Sequence, residues 1–498
     1  MTLSRRNFIH IGSATAAIGA AAAGGVGVAR RMTPAAQAST TTAPQNIHLL
    51  NRISYGATPQ SIAEVNTLGY DAYLEQQLNP HQIDDSAANA KLAPYTAVLN
   101  LAHQQLLRQA EGRIEQSLPA AAILRAAHSR RQLQERMVEF WSDHFNAVSE
   151  DILFMMPTYY NRDIRDNALG NFRSLVLATA KSPAMLIYLD NFVNVARHPN
   201  ENYARELLEL HTMGVDGGYT EADVEAVARA FTGWTVNEAT ENGFIFDPTT
   251  HDTDPKTLLG HNLPGGRGIE DGLHVIDIVC RHPATAQFIS RKLCIKFVSD
   301  RPPQSLVDST AAVFTANNGE IKPVLRHLFT SPQFKAATGQ KFRRPFDFYI
   351  AALRSSGATI TQLEMTHENL ETLGQRPYGW LPPNGYPAVA TPWLTTNGLL
   401  SRWNIAMRMT EASQGGDDTG LRVTLHEEIG NPVTVGELVS TVSLRVFGYV
   451  LPAPDLQTYV AYASDETGAS TPVTPALLSR KLGTLFGLMM ASPQFQWI

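Results

Sequence analysis

Residues 200–234 read NENYARELLELHTMGVDGGYTEADVEAVARAFTGW, and the periodicity of this stretch decides the fold class. At about 100° per residue, Asn202, Arg205, Glu206 and Glu209 share one helical face, while Ala204, Leu207, Leu208 and His211 share the opposite one. Gly214 suits a left-handed C-cap, and Asp216-Gly217-Gly218 is turn chemistry. Thr220 then caps a second helix, with Asp223 placed for a capping box. Val224, Val227, Ala228 and Phe231 form its buried stripe, so the stretch is a helical hairpin. Arg205 and Glu209, four apart, are expected to pair within the first helix.

The hairpin places a histidine on an apolar stripe. His211 is either a core histidine in a last helical turn or a metal ligand or general base in a buried pocket. Glu206 and Glu209 lie some 140–160° around the axis from it, so a further ligand must come from another segment. Residues 136–146, RMVEFWSDHFN, repeat the layout. Arg136, Glu139, Asp143 and Asn146 take one side, and Phe140, Trp141, His144 and Phe145 the other. A third imidazole, His251, stands beside Asp252 in a loop, where the pair reads as ligand or acid/base chemistry or as a capped surface turn.

Before these segments stands Ser4-Arg5-Arg6-Asn7-Phe8-Ile9, a twin-arginine export pattern. A weakly apolar Ala/Gly region and Ala36-Gln37-Ala38 follow it, so residues 1–38 read as a signal peptide and the mature chain as periplasmic or extracellular. The 498 residues carry a net charge of −6, and the leader holds four arginines and no acid, so the remainder is more acidic still. That balance argues against nucleic-acid binding. No apolar run after the leader is long enough to span a membrane. Cys280 and Cys294 alone cannot ligate an iron–sulfur cluster or attach a haem through CxxCH. Either a disulfide or two free thiols fits them.

Along the rest of the chain, 39–45 is a linker, 46–340 a helical core with the candidate site, and 341–498 a C-terminal helical part packed on it. Thr58-Pro59 starts a helix, and 121–145 reads as one long helical pattern. Phe244-Ile245-Phe246-Asp247 suggests a short strand inside an insertion near 237–260. Residues 376–392 form a long ordered loop rich in Pro, Gly and aromatics. Ser331-Pro332-Gln333-Phe334 and Ser492-Pro493-Gln494-Phe495 echo one another as Ser-Pro helix starts. The expected fold is therefore mainly α, a multi-helix globular array with a short β-hairpin insertion and long ordered loops. HExxH, GxSxG, GxxxxGK[ST] and EF-hand patterns are absent from the sequence.

Trp141 to Asn146, Asn200 to His211, Phe231-Thr232-Gly233-Trp234, His251-Asp252, His282 to Ala286 and Pro392-Trp393 through Arg402 together resemble the bacterial DUF 1800 family (domain of unknown function 1800). The resemblance covers nearly all of the mature chain. It implies a mostly exported, predominantly helical protein, often encoded beside exported proteins resembling sulfatases and phosphatases, which makes such a neighbour the implied partner. It supplies no activity and no catalytic residues.

Two functions stay open on these residues. One is an exported hydrolase-like enzyme with Glu206, His211 and Asp252 as catalytic groups, and with His144, His211 and His251 holding a divalent metal such as zinc or iron. The other is a non-catalytic envelope scaffold or binding partner of another exported protein.

Overall fold

Helices begin at α1 (Gln45–Ile53) and continue to residue 496 in the computed structural model, which describes residues 43–498 apart from 238, 241 and 412–418. The expected export leader and residues 39–42 of the linker lie outside the described residues. The architecture is mainly α, and no helix among the described residues is long and apolar enough to cross a membrane.

The pattern over 121–145 is divided rather than continuous. A helix over Glu111–His128 ends, and α2 (Gln132–His144) starts afresh. The break is held by polar side chains: Gln132 donates to the carbonyls of Ala126 and Ser129, and the Ser129 hydroxyl donates to Asp85. The hairpin at 200–234 forms as α3 (Glu201–Glu206), capped by Asn200, and α4 (Glu221–Ala230), capped by Thr220 in a full capping box with Asp223. Gly214 adopts φ +81°, as a left-handed cap requires.

One feature of the hairpin departs from expectation. After Glu206 the helix widens into a π-turn over Leu207–Thr212. The wider winding turns Glu209 away from Arg205. Arg205 pairs instead with Glu201 at 3.0 Å and with Glu221 of α4 at 2.7 Å.

The insertion after α4 is built from two antiparallel pairs. Strand β1 (Trp234–Val236) pairs with β2 (Phe244–Phe246), with Trp234 opposite Phe246, and β3 (Lys256–Leu258) pairs with β4 (His261–Leu263). Helices α5 (Glu270–Arg281), α6 (Pro283–Phe297) and α7 (Pro345–Ser356) follow. Then come α8 (Thr396–Glu411) and α9 (Pro475–Ala491), which pack closely on one another. Both Ser331 and Ser492 cap the short helix that their Ser-Pro pair begins, each accepting from the phenylalanine amide three residues on. Cys280 and Cys294 are free and buried.

The apolar interior falls into two large clusters. The first draws on residues from Ala43 to Ala337, including Trp141, Phe172 and Phe231. The second draws mainly on residues from Phe346 to Phe495, with Tyr55, Ile123 and Ala126 added from earlier in the chain. Residues 341–343 pair antiparallel with 496–498, so the chain segment between the clusters is fixed by backbone bonds. Helix α2 lines the seam, with Val138 in the first cluster and its acidic face towards the second.

Candidate functional site

Of the residues singled out in the sequence, His144 and His211 come together. Their ring centroids lie 6.2 Å apart, within a wall formed by Trp141, Phe145, Phe172 and Phe288. His144 Nε2 lies 2.9 Å from the His211 carbonyl, which can only accept, so Nε2 carries the proton. Nδ1 is then an acceptor, and it takes a hydrogen bond from Lys292 Nζ of α6 at 2.7 Å. Both ring nitrogens of His144 are thereby committed to protein partners. Burial and the Lys292 charge hold the His144 imidazole well below its ordinary pKa and lower that of His211 to about 3. Burial also lowers the Lys292 ammonium to about 8, with Asp143 pulling the other way.

His251 and Asp252 belong to a different cluster, built on the insertion and α5. His251 Nδ1 donates to the Thr232 carbonyl at 2.8 Å, and Nε2 lies 3.6 Å from Asp271 of α5. The fully buried Lys256 ammonium occupies the same Asp271 oxygen at 2.8 Å. Asp252 is paired with Arg229 at 2.7 Å; burial pushes its carboxyl up, but the Arg229 hydrogen bond helps to hold it below its usual value. Glu206 belongs to neither cluster. It is half-buried beside Glu209, and burial together with that neighbour raises it to about 7. Among the described residues, no group of three or more His, Cys, Asp or Glu side chains is placed to hold a metal ion.

The densest ionic chemistry lies on the other face of α2, the polar side that carries Arg136, Glu139 and Asp143. Glu135, Glu139 and Asp143 recur every fourth residue and form one stripe. All three line a cavity of about 60 Å³, room for several waters at roughly 10–15 Å³ each. Arg165 grips Glu135 with two bonds of 2.9 and 2.6 Å. Glu139 receives Lys296 of α6 at 2.8 Å, the Tyr55 hydroxyl at 3.1 Å, Arg136 at 3.3 Å and Arg344. Arg344, at the N-cap of α7, also donates to Asp143 Oδ2 at 2.8 Å. Asp347, one helical turn on, takes Arg136.

These surroundings drive the carboxyls apart. Burial raises every one of them, but Arg165 outweighs it at Glu135, and Arg344 with Lys296 outweighs it at Glu139. Asp143 is ion-paired with Arg344 alone among the described residues and feels Lys296 from further off, while the negative charge of Glu139 opposes them, so burial wins and its carboxyl is raised. Its Oδ1 has no hydrogen-bond partner among the described residues.

The far wall of the cavity is the loop over 375–390. Asn146 donates to the carbonyls of Trp380 and Pro382 at 2.7 and 2.8 Å, and the Tyr188 hydroxyl donates to that of Leu381 at 2.6 Å. Lys341 and Asp300 fix Ala388 and Ala390. Gly385 sits with φ +68° against the Asp143 backbone, where a Cβ would collide with the carbonyl oxygen. Tyr378 and Tyr386 of this loop line the cavity with Phe346. The sequence held one signal for this site, namely three carboxylates at fourfold spacing opposite a stripe of large aromatics. Their cations come from distant segments and could not be paired with them in advance.

No curated protein and no solved structure matches the chain. The sequence model of the proteins of unknown function called DUF1800 matches residues 48–497. With a match over that span, the chain belongs to the DUF1800 family.

Proposed function

We propose that this protein is an exported hydrolase whose acid–base group is Asp143, working in the cavity between α2 and the 375–390 loop. The observation behind this reading is the split between neighbouring carboxyls. Glu139 is kept ionised by four donors, while Asp143, one turn further, is raised and keeps an oxygen uncommitted. Pairs of carboxyls pushed apart by their surroundings are how one site supplies an acid at neutral pH.

In such a reaction the oxygen of a water bonds to the electrophilic atom as the leaving-group bond breaks, and Asp143 Oδ1 gives its proton to the leaving oxygen. Arg344 stabilises the carboxylate left behind. The attacking water releases its surplus proton to solvent, and Asp143 regains a proton from solvent, which restores the site. Glu139 acts as a positioning residue that keeps the Asp143 carboxyl raised. The twin-arginine pattern supports a periplasmic or extracellular place for this chemistry.

The test is Asp143→Asn, screened against chromogenic glycosides, esters and phosphate esters, with difference infrared titration of the carboxyl band. Loss of turnover by ~10²–10⁴-fold, with an unchanged melting curve, is the expected outcome. Turnover that survives the substitution, or an Asp143 band titrating in the ordinary carboxylate range, overturns the assignment.

A further inference from the structure

Beside the cavity, three aromatic side chains form a row. Trp380 and Tyr386 have ring centroids 5.0 Å apart, and Tyr386 and Trp393 6.1 Å apart. Tyr386 is also part of the cavity wall, so the row runs directly into it. Each polar end is tied back within the loop: Trp380 Nε1 to Asn384, the Tyr386 hydroxyl to the Arg376 carbonyl, and Trp393 Nε1 to the Pro387 carbonyl. With those ends committed, what the half-buried rings still offer is carbon surface. Leu381 at 62% and Leu394 at 42% exposure, each next in sequence to one of the two tryptophans, are exposed apolar side chains of the same segment. The bonds from Asn146, Tyr188, Lys341 and Asp300 hold the loop in place, so binding there costs little reordering.

The charges inside and at the rim differ in kind. Within the cavity Glu135 and Glu139 are matched by Arg165, Arg344, Arg136 and Lys296, and the Tyr55 hydroxyl, the Asn146 amide nitrogen and the Gln375 amide oxygen are bonded within the protein. Asp143 Oδ1, the Asn146 amide oxygen and the Gln375 amide nitrogen have no hydrogen-bond partner among the described residues, and in a mostly apolar wall they suit hydroxyls carried on a ring. At the rim, Arg376 is exposed and has no acidic partner among the described residues. An uncommitted guanidinium there suits a carboxylate on the ligand.

We propose that Trp380, Tyr386 and Trp393 form a binding shelf for an acidic polysaccharide, a chain of sugar rings bearing carboxylates, with Arg376 as the anion contact and the Asp143 cavity at its end. The shelf rests on the reading of that cavity as the reacting centre and names its substrate class. A sugar ring offers a C–H face to stack on an aromatic ring and hydroxyls for the few unpaired polar atoms of the cavity, which matches the order of surfaces from Trp393 through Tyr386 to Asp143. A flat protein partner would cover the row but leave the cavity unfilled.

The test is affinity electrophoresis of the full mature chain through gels containing polygalacturonate or alginate, against dextran and hydroxyethylcellulose. The net charge, −6 for the whole sequence and more negative without the four arginines of residues 1–38, opposes non-specific attraction to polyanions, so retardation reports a local site. The expected result is retardation in the acidic polymers, weakened at least roughly tenfold, about 1.4 kcal/mol, by Trp380→Ala with Trp393→Ala or by Arg376→Ala. Trp380→Phe should retain binding. Retardation only in neutral polymers, none at all, or binding indifferent to the aromatic and arginine substitutions overturns the shelf. If Asp143→Asn leaves turnover intact while the shelf variants lose retardation, the hydrolase reading falls and the shelf stands. The converse result leaves the hydrolase and removes the shelf.

Discussion

At the scale of single residues, Arg344 carries the most consequence. Its guanidinium bonds to two carboxylates one helical turn apart on α2, and it is 3% exposed. Replacing it with methionine leaves Glu139 short of one cation and Asp143 without its close one, in an interior that penalises unpaired charge. The expected cost is about 3–5 kcal/mol, read as a fall in the urea midpoint, and a shift below 1 kcal/mol would mean that the pairs are solvent-screened. His144 and His211 were legible as buried because each sits on an apolar helical stripe, whereas their meeting each other and not His251 was left to the packing. Lys292, which donates the hydrogen bond that His144 Nδ1 accepts, was not, because its own segment gives no hint of an imidazole partner 148 positions away.

At the scale of elements, caps and turns were readable, and the faces of helices only half so. Thr58, Thr220, Ser331 and Ser492 cap where their spacing placed them, because a capping bond closes within four residues. The π-turn over Leu207–Thr212 was not readable, and with it went the Arg205–Glu209 pair. The acidic face of α2 reads from its spacing only as the side opposite the aromatics, yet Glu135 on it is 7% exposed, since arginines and the 375–390 loop cover it. That loop yields a test of its own. Gly385→Ala adds a Cβ against the Asp143 carbonyl at φ +68° and should cost about 1–3 kcal/mol. Limited proteolysis should then cut within 376–390 faster than in the unaltered chain, and equal cutting rates would show that the loop tolerates the change.

At the scale of the whole molecule, buried neutral imidazoles set the pH response. Burial is the chief cause of the lowered values at His48 and His211, both to about 3, and at His128, to about 4. An unfolded histidine takes a proton near pH 6.5, so between about 6.5 and 3 these rings bind more protons in the unfolded chain than in the folded one. Their contribution to stability is therefore full above 6.5 and is lost as pH falls, offset in part by Glu206 and Asp163, which burial raises to about 7 and which take protons in the folded chain first. At pH 5 the loss is about 2 kcal/mol for each fully buried ring. Melting temperatures at pH 7.5 and 5 should separate accordingly, and His48→Asn should flatten the slope; an unchanged slope would mean that His48 titrates normally when folded. The sequence by itself determined the helical class, the capped hairpin, the strand insertion and the burial of His144 and His211. These depend on periodicity and on bonds that close within a few residues. Only the tertiary structure decided which charges meet: Glu139 and Asp143 with Arg344, Glu135 with Arg165, and His251 with Asp271 apart from His144. Ion pairs across such separations leave no periodic trace in a single chain, so the cavity they surround becomes visible only once the helices are packed.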